Sequence, residues 1–302
     1  MAIYNNEEDK KKMEEHLSQQ TGGNVKIVDA NDTFDFKCQR CGQCCMGRND
    51  IVLNPFDIYN ACVALNIAPS EFISKYTNVT IGHNSRLPVI TLKSDDRNWC
   101  HFLEFDIKNG GLFKCSINDN KPGACRNHPI GVVTSFKKND DGSDDEMSEM
   151  YIKVDQCDNS KGHNNPVLVS DWMKKSEELV EEREWSHKIQ SLPSLRLNLH
   201  RFYTMLTMTS LGPENIEEWS EEDQKRIKQT MEHSLEVMKF FFTSIAELTY
   251  NLYDINRPFV EQVKENYAKL DEVCTTVGKY YESMEKVYIE SGHSLEDLDK
   301  IE

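Results

Sequence analysis

The chain of 302 residues contains no run of about 20 apolar residues, so no segment reads as a bilayer-spanning helix. Its first 20 residues are charged (EEDKKKMEEH within them) and lack the apolar stretch of a secretory leader. The phosphate-cradling loops G-x-x-x-x-G-K-S/T and G-x-G-x-x-G after a strand are absent, as is the serine-hydrolase elbow G-x-S-x-G. Positive charge is in deficit: 35 basic residues stand against 51 acidic ones, for a net charge of −16. Such a surface repels phosphate backbones, which argues against nucleic acid and anionic membranes as partners and favours a basic, lysine-rich protein segment. Together these absences lead to a cytoplasmic expectation. In a reducing compartment cysteines read as metal ligands or reactive thiols, not as disulfides.

Cysteine is also nearly missing from the second half of the chain. Nine of the ten cysteines lie between Cys38 and Cys157, and only Cys274 lies beyond. The pattern of the text shifts with them, from mixed to helical, and the expected fold class is α+β. A small cysteine-rich metal-binding α/β module is followed by an antiparallel helical bundle, with boundaries at 1–24 (a charged segment), 25–165 (the module) and 166–302 (the bundle).

In the module, short strands are predicted at Val25–Val28, Leu87–Leu92, Gly131–Phe136 and Tyr151–Val154. Asn54-Pro55, a capping residue followed by proline, predicts a helix to about Leu65, and a second helix runs from Ser70 to about Tyr76. The acidic stretch Asn139–Glu149 reads as an exposed loop or hairpin tip without the spaced ligands of an EF-hand. In the bundle, Ser170-Asp171 is expected to cap a helix through Trp172, Leu179 and Ile189, and a further segment covers Leu195–Met208. Ser220 and Pro258 each open a long amphipathic segment. In the second, Val263, Tyr267, Leu270, Cys274, Val277 and Tyr281 follow the alternating four and three spacing of one buried face. The short Asp254–Arg257 turn between them predicts a helical hairpin.

The chemistry concentrates in FKCQRCGQCCMG, which places Cys38, Cys41, Cys44 and Cys45 within eight residues. A C-x-x-C step brings two sulfurs within about 4 Å, close enough for one zinc ion or for neighbouring irons of a cluster. Gly42 lets the backbone turn without a side-chain clash. Two consecutive steps resemble the three-ligand run of ferredoxin-type 4Fe–4S sites. Adjacent residues generally point apart, so Cys44 and Cys45 are not expected to share one ion, and one of them is expected to serve a second site. Cys100, Cys115, Cys125 and Cys157 lie in turn-rich or strand-end contexts and complete a set of eight candidate metal ligands. That number allows two four-thiolate sites, or one site beside redox-active thiols. Cys62 and Cys274 fall on apolar helical stripes and read as small buried hydrophobes. His101 and His128 adjoin cysteines, either as ligands or as ordinary hydrogen-bonded histidines, and Arg126 after Cys125 reads as an anion or salt-bridge partner.

These residues resemble the CxxCxxCC family, also called the YkgJ family, of zinc- or iron-chelating proteins. The opening motif is CQRCGQCC at Cys38–Cys45, followed by IVLNPFDI (Ile51–Ile58), SEFISKY (Ser70–Tyr76), CHFL (Cys100–Leu103), GLFKCSI around Cys115 and PGACRNHP (Pro122–Pro129). The last cysteine, the glycine-containing turn and the Trp-bearing helix correspond to Cys157, Gly162 and Trp172. The likeness covers roughly residues 36–175, with one departure: His128 stands where the family has an aromatic residue. The resemblance implies metal binding, and some relatives are flagellin lysine N-methylases thought to use an iron–sulfur site. The expected cofactor is therefore an iron–sulfur cluster in a redox or catalytic role, protein-lysine N-methyltransferase activity included. The alternative is a structural zinc module carrying a helical interaction domain.

Overall fold

The computed structural model describes residues 6–21, 24–48, 50–81, 88–137, 146–155, 162–198, 220–226, 228–229 and 253–290. Helix and strand are mixed, in an α+β arrangement. The chain forms two compact units, each assembled from separate stretches: Met1–Val52 with Thr91–Val180, and Leu53–Ile90 with Glu181–Glu302.

The first unit is built on a three-stranded antiparallel sheet of β1 (Asn24–Val28), β8 (Glu146–Asp155) and β7 (Ile130–Lys137), in the order β1-β8-β7. Val25 pairs with Val154 and Ile27 with Ile152, while Gly131 sits opposite Ile152 on the other side. Alternation divides the apolar residues between two faces. One face gathers Val25, Ile27, Met150 and Ile152 under Met13 and Leu17 of the N-terminal helix α1 (Glu7–Thr21). That helix lies in a segment expected only to be charged. It is fastened to the sheet edge, where the Val25 N–H donates to Ser18 Oγ and the Ile27 N–H to Glu14 Oε1.

The opposite face packs Ile130 with Phe34 and Phe36 and with Val169 and Met173 of α5 (Val169–Glu177). Phe34 belongs to β2 (Thr33–Asp35), which pairs antiparallel with β9 (Pro166–Leu168). The helix expected to be capped by Ser170-Asp171 starts at Val169, with Leu168 at the cap position and no side-chain cap. Backbone groups take the cap's place: the Val169 N–H donates to Asp32 O and the Ser170 N–H to Ala30 O. The expected single helix is two, with α6 (Val180–Gln190), which falls in the second unit from Glu181 on, following a break at Glu178–Leu179. A hairpin of β5 (Leu103–Asp106) and β6 (Leu112–Cys115) and the one-turn helix α4 (Gly123–Asn127) complete the first unit.

The second unit contains α2 (Pro55–Leu65), α3 (Pro69–Tyr76), β3 (Thr77–Ile81) paired with β4 (Pro88–Leu92), and the long α7 (Phe259–Glu290). Asn54 caps α2 through a reciprocal pair of bonds with Asp57. Phe56 and Tyr59 of α2 meet Tyr253 and Phe259 in an aromatic group. Along α7, Val263, Leu270 and Cys274 are buried, on the stripe expected from their spacing. Cys62 is fully buried as well, which fits its reading as a small hydrophobe. Residues 193–198 are helical and Ser220 caps residues 221–226, its Oγ accepting from the Asp223 N–H. The rest of Leu195–Met208, most of the segment after Ser220, and residues 139–145 of the expected acidic stretch lie outside the described residues; Glu146–Glu149 of that stretch belong to β8.

Candidate metal centre

The cysteine loop winds tightly because two of its residues adopt left-handed backbone: Arg40 at φ 53° and Gly42 at φ 77°. Gly42 has a second reason to be glycine. A Cβ there would stand 3.0 Å from Met46 Cε and from the Phe113 ring. The loop is then sewn to its neighbours by main-chain bonds. Arg40 O accepts from the Phe113 N–H at 2.8 Å, and Arg40 Nε donates back to Phe113 O at 3.0 Å, which ties the loop to β6. The Cys100 N–H donates to Cys45 O at 2.9 Å, which sets the second cysteine segment beside the first. Cys100 is in turn close to Cys115, because the Leu103 N–H donates to Cys100 O at 2.9 Å and Leu103 pairs with Cys115 across the hairpin.

Cys44 and Cys45 occupy a 3-10 turn, Gln43–Cys45, and their sulfurs lie 3.9 Å apart. Their sulfurs thus approach each other where adjacent residues were expected to point apart. The contact splits the pair electrostatically. The hydrogen bond from Cys45 holds the Cys44 thiol below its ordinary range, at about 6, with Lys121 and Arg48 adding to it. The same contact, together with burial and the nearby Cys125 and Cys100, pushes Cys45 up. Burial also raises Cys100 and Cys115, each opposed by a backbone donor: the Phe102 N–H points at the Cys100 sulfur and the Ile117 N–H at the Cys115 sulfur. Both donors sit two residues after their cysteine on a buried apolar side chain, which pins the turn and aims the N–H at sulfur. Such bonds favour thiolate, the ligating form.

Five half-buried thiols, Cys44, Cys45, Cys100, Cys115 and Cys125, therefore act on one another electrostatically within the first unit. Arg48 influences Cys44 and Cys125, and Lys121 influences Cys44 and Cys115, so two cations stand by to offset thiolate charge. Cys38 is exposed. Cys41 is half-buried and lines an open cleft of about 640 Å³ with Met46, Arg97 and Trp99. Cys157 lies outside the described residues. Among the described residues no three Cys, His, Asp or Glu side chains stand close enough to grip an ion as they are. The donor set suits a soft or borderline metal all the same, with side-chain rotation required to close on it.

Helix α4 delivers Cys125 to this group. Its position is fixed from α5: Trp172 Nε1 donates to Asn127 O at 2.8 Å and Ser176 Oγ donates to Asn127 Oδ1. Arg126 turns to a main-chain acceptor, Lys121 O at 2.9 Å. His128, next in the chain, packs edge-on against Phe36, with ring centroids 6.0 Å apart. Burial lowers its pKa to about 4, with Arg48 and Lys121 pressing the same way. Its Nε2 is buried without a hydrogen-bond partner, a condition that costs about 1–3 kcal/mol in a protein interior. The spacing of the cysteines made the thiols visible in sequence. The aimed N–H groups, the two cations and the orphaned nitrogen depend on long-range folding, although the shared pattern of cysteine, any residue, then Phe102 or Ile117 is a local trace of the first.

Residues 37–157 match the model of the CxxCxxCC family, described as "putative zinc- or iron-chelating domain". No curated protein and no solved structure matches the chain.

Proposed function

We propose, on the footing that residues 37–157 are a CxxCxxCC domain, that the chain is a metal-binding protein whose centre draws on Cys44, Cys45, Cys100, Cys115 and Cys125. One observation carries this reading: the five half-buried thiols, brought from four separate chain segments, share a single electrostatic neighbourhood. Cys38, Cys41 and Cys157 remain candidates for the same centre or a second one. When bound, an iron–sulfur cluster supplies electron transfer or substrate activation at an open iron, whereas zinc supplies a closed structural cross-link.

The chain's own residues prepare the site. The Phe102 and Ile117 N–H groups stabilise thiolate at Cys100 and Cys115. Lys121 and Arg48 offset the charge that builds up as thiols deprotonate. The two consecutive C-x-x-C steps through Cys38, Cys41 and Cys44 support the iron–sulfur reading, because they have the spacing of a ferredoxin-type three-ligand run. A specific observation favours zinc as the second reading. The 3.9 Å sulfur contact of Cys44 and Cys45 is close to the spacing of about 3.8 Å between two corners of a zinc–thiolate tetrahedron with 2.3 Å bonds. The net charge of −16 suits a basic, lysine-rich protein partner in either case, met by a helical second half that we read as a bundle. Protein-lysine N-methylation is the specific reaction such a pairing would serve.

Anaerobic purification followed by metal, sulfide and absorbance analysis of one sample tests the proposal. Broad absorbance near about 400 nm with iron and sulfide in near-equal amounts is the expected result for a cluster. A colourless zinc protein replaces it with the structural reading, and a metal-free chain that takes up neither metal overturns both.

A further inference from the structure

One atom near the thiols has no use in that account. Among the described residues, His128 Nε2 is the buried side-chain nitrogen or oxygen left without a hydrogen-bond partner, sulfur acceptors included. Buried polar atoms are nearly always partnered, so an exception marks a group that is missing. The ring is not loosely placed. Phe36 holds it edge-on, and the residue before it is fixed through Asn127 to Trp172 and Ser176. It follows Cys125 by three residues at the end of α4. Arg48 and Lys121 act on it electrostatically, as they do on Cys44, and Arg48 also acts on Cys125. Both cations only donate hydrogen bonds, and neither donates to Nε2. What the position lacks is a partner for Nε2, and in the tautomer protonated at Nδ1 a metal ion takes up its lone pair.

Building on the metal-binding reading above, we propose that His128 Nε2 is itself a ligand, which makes the centre a mixed thiolate–imidazole site for zinc or iron, with Cys125, three residues before it, as its neighbouring thiolate in the chain. Zinc and iron both accept imidazole and thiolate in one shell. An imidazole ligand carries no charge, so it lowers the negative charge of the shell by one relative to a thiolate.

The test is X-ray absorption on the full chain reconstituted anaerobically with zinc, beside a competition titration against a chromophoric chelator. The wild type is expected to show an imidazole shell at about 2.0 Å with sulfur at about 2.3 Å. His128→Phe, whose ring keeps the edge contact with Phe36, is expected to lose the nitrogen shell and bind zinc on the order of 100-fold more weakly, with circular dichroism unchanged. An all-sulfur shell in the wild type, or a His128→Phe protein with the same shell and affinity, overturns the proposal while metal binding stands. A chain that retains neither zinc nor iron removes the metal reading and this proposal with it. Should His128→Phe not fold, His101→Asn decides: a nitrogen shell that survives it supports His128, and one that disappears with it assigns the imidazole to His101.

Discussion

Gly42 couples the conformation of the cysteine loop to its packing. The residue is left-handed, and it has Met46 and Phe113 at contact distance where a Cβ would be. Gly42→Ala is therefore expected to cost about 1–2 kcal/mol from backbone strain alone. Because the loop carries Cys41, Cys44 and Cys45, metal affinity should fall with the melting temperature, and a zinc titration beside a thermal melt reads both. His128 gives a pH dependence. Its folded pKa of about 4 lies below the ordinary 6.5, so between those values the unfolded chain takes up a proton that the folded chain refuses. Stability of the metal-free protein is full above about pH 6.5 and declines as pH falls toward 4, by about 3 kcal/mol. Denaturant melts across that window should show the decline in the wild type and a flatter profile in His128→Phe. At this scale the candidate ligands were legible because cysteine spacing is a local property. The isolation of His128 was not, since burial against Phe36 and proximity to Arg48 come from residues distant in sequence.

Among the elements, helix starts written in short-range chemistry were the readable ones. Asn54 and Asp57 satisfy each other's main-chain N–H groups, and both lie within four residues of text. Asn54→Ala should destabilise α2 by about 1 kcal/mol, seen as a shift in the denaturation midpoint with little change in slope. The start of α7 is held differently. Gln262 is buried, its Oε1 accepting from the Asp254 N–H while Nε2 donates to the carbonyls of Asp254, Arg257 and Pro258. This side chain closes the Asp254–Arg257 turn. Gln262→Leu keeps the volume but strands those groups, and a loss of about 2–3 kcal/mol is expected in the same melts. The break between α5 and α6 escaped the sequence reading because no glycine or proline marks it. The start of α5 was misread because its first N–H groups are satisfied by Asp32 and Ala30, far back along the chain.

For the molecule as a whole, a linear division at residue 165 describes composition, while the compact units are discontinuous. Local pattern reports whether a stretch is helix or strand, and it does not record where the chain returns. The first unit needs β9 and α5, because Val169 and Met173 fill the core against Phe34, Phe36 and Ile130. A fragment ending at residue 165 is thus expected to lack cooperative unfolding and to aggregate, which circular dichroism and size-exclusion chromatography would register.

Two passes of chain within the first unit have their own consequence. The chain runs from Cys45 to Val52 and returns from Thr91 to Cys100, and the two passes are stitched together along the way: Cys45 with Cys100, Met46 with Trp99, Gly47 with Asn98, Ile51 with Leu92 and Val52 with Thr91. The thiols sit at one end of this seam. A zip clamped at one end opens less readily along its length, so metal capture at Cys45 and Cys100 should slow amide hydrogen exchange at Gly47 and Leu92 as well. Those distant protons then serve as a clock, ticking more slowly when the ion is in place.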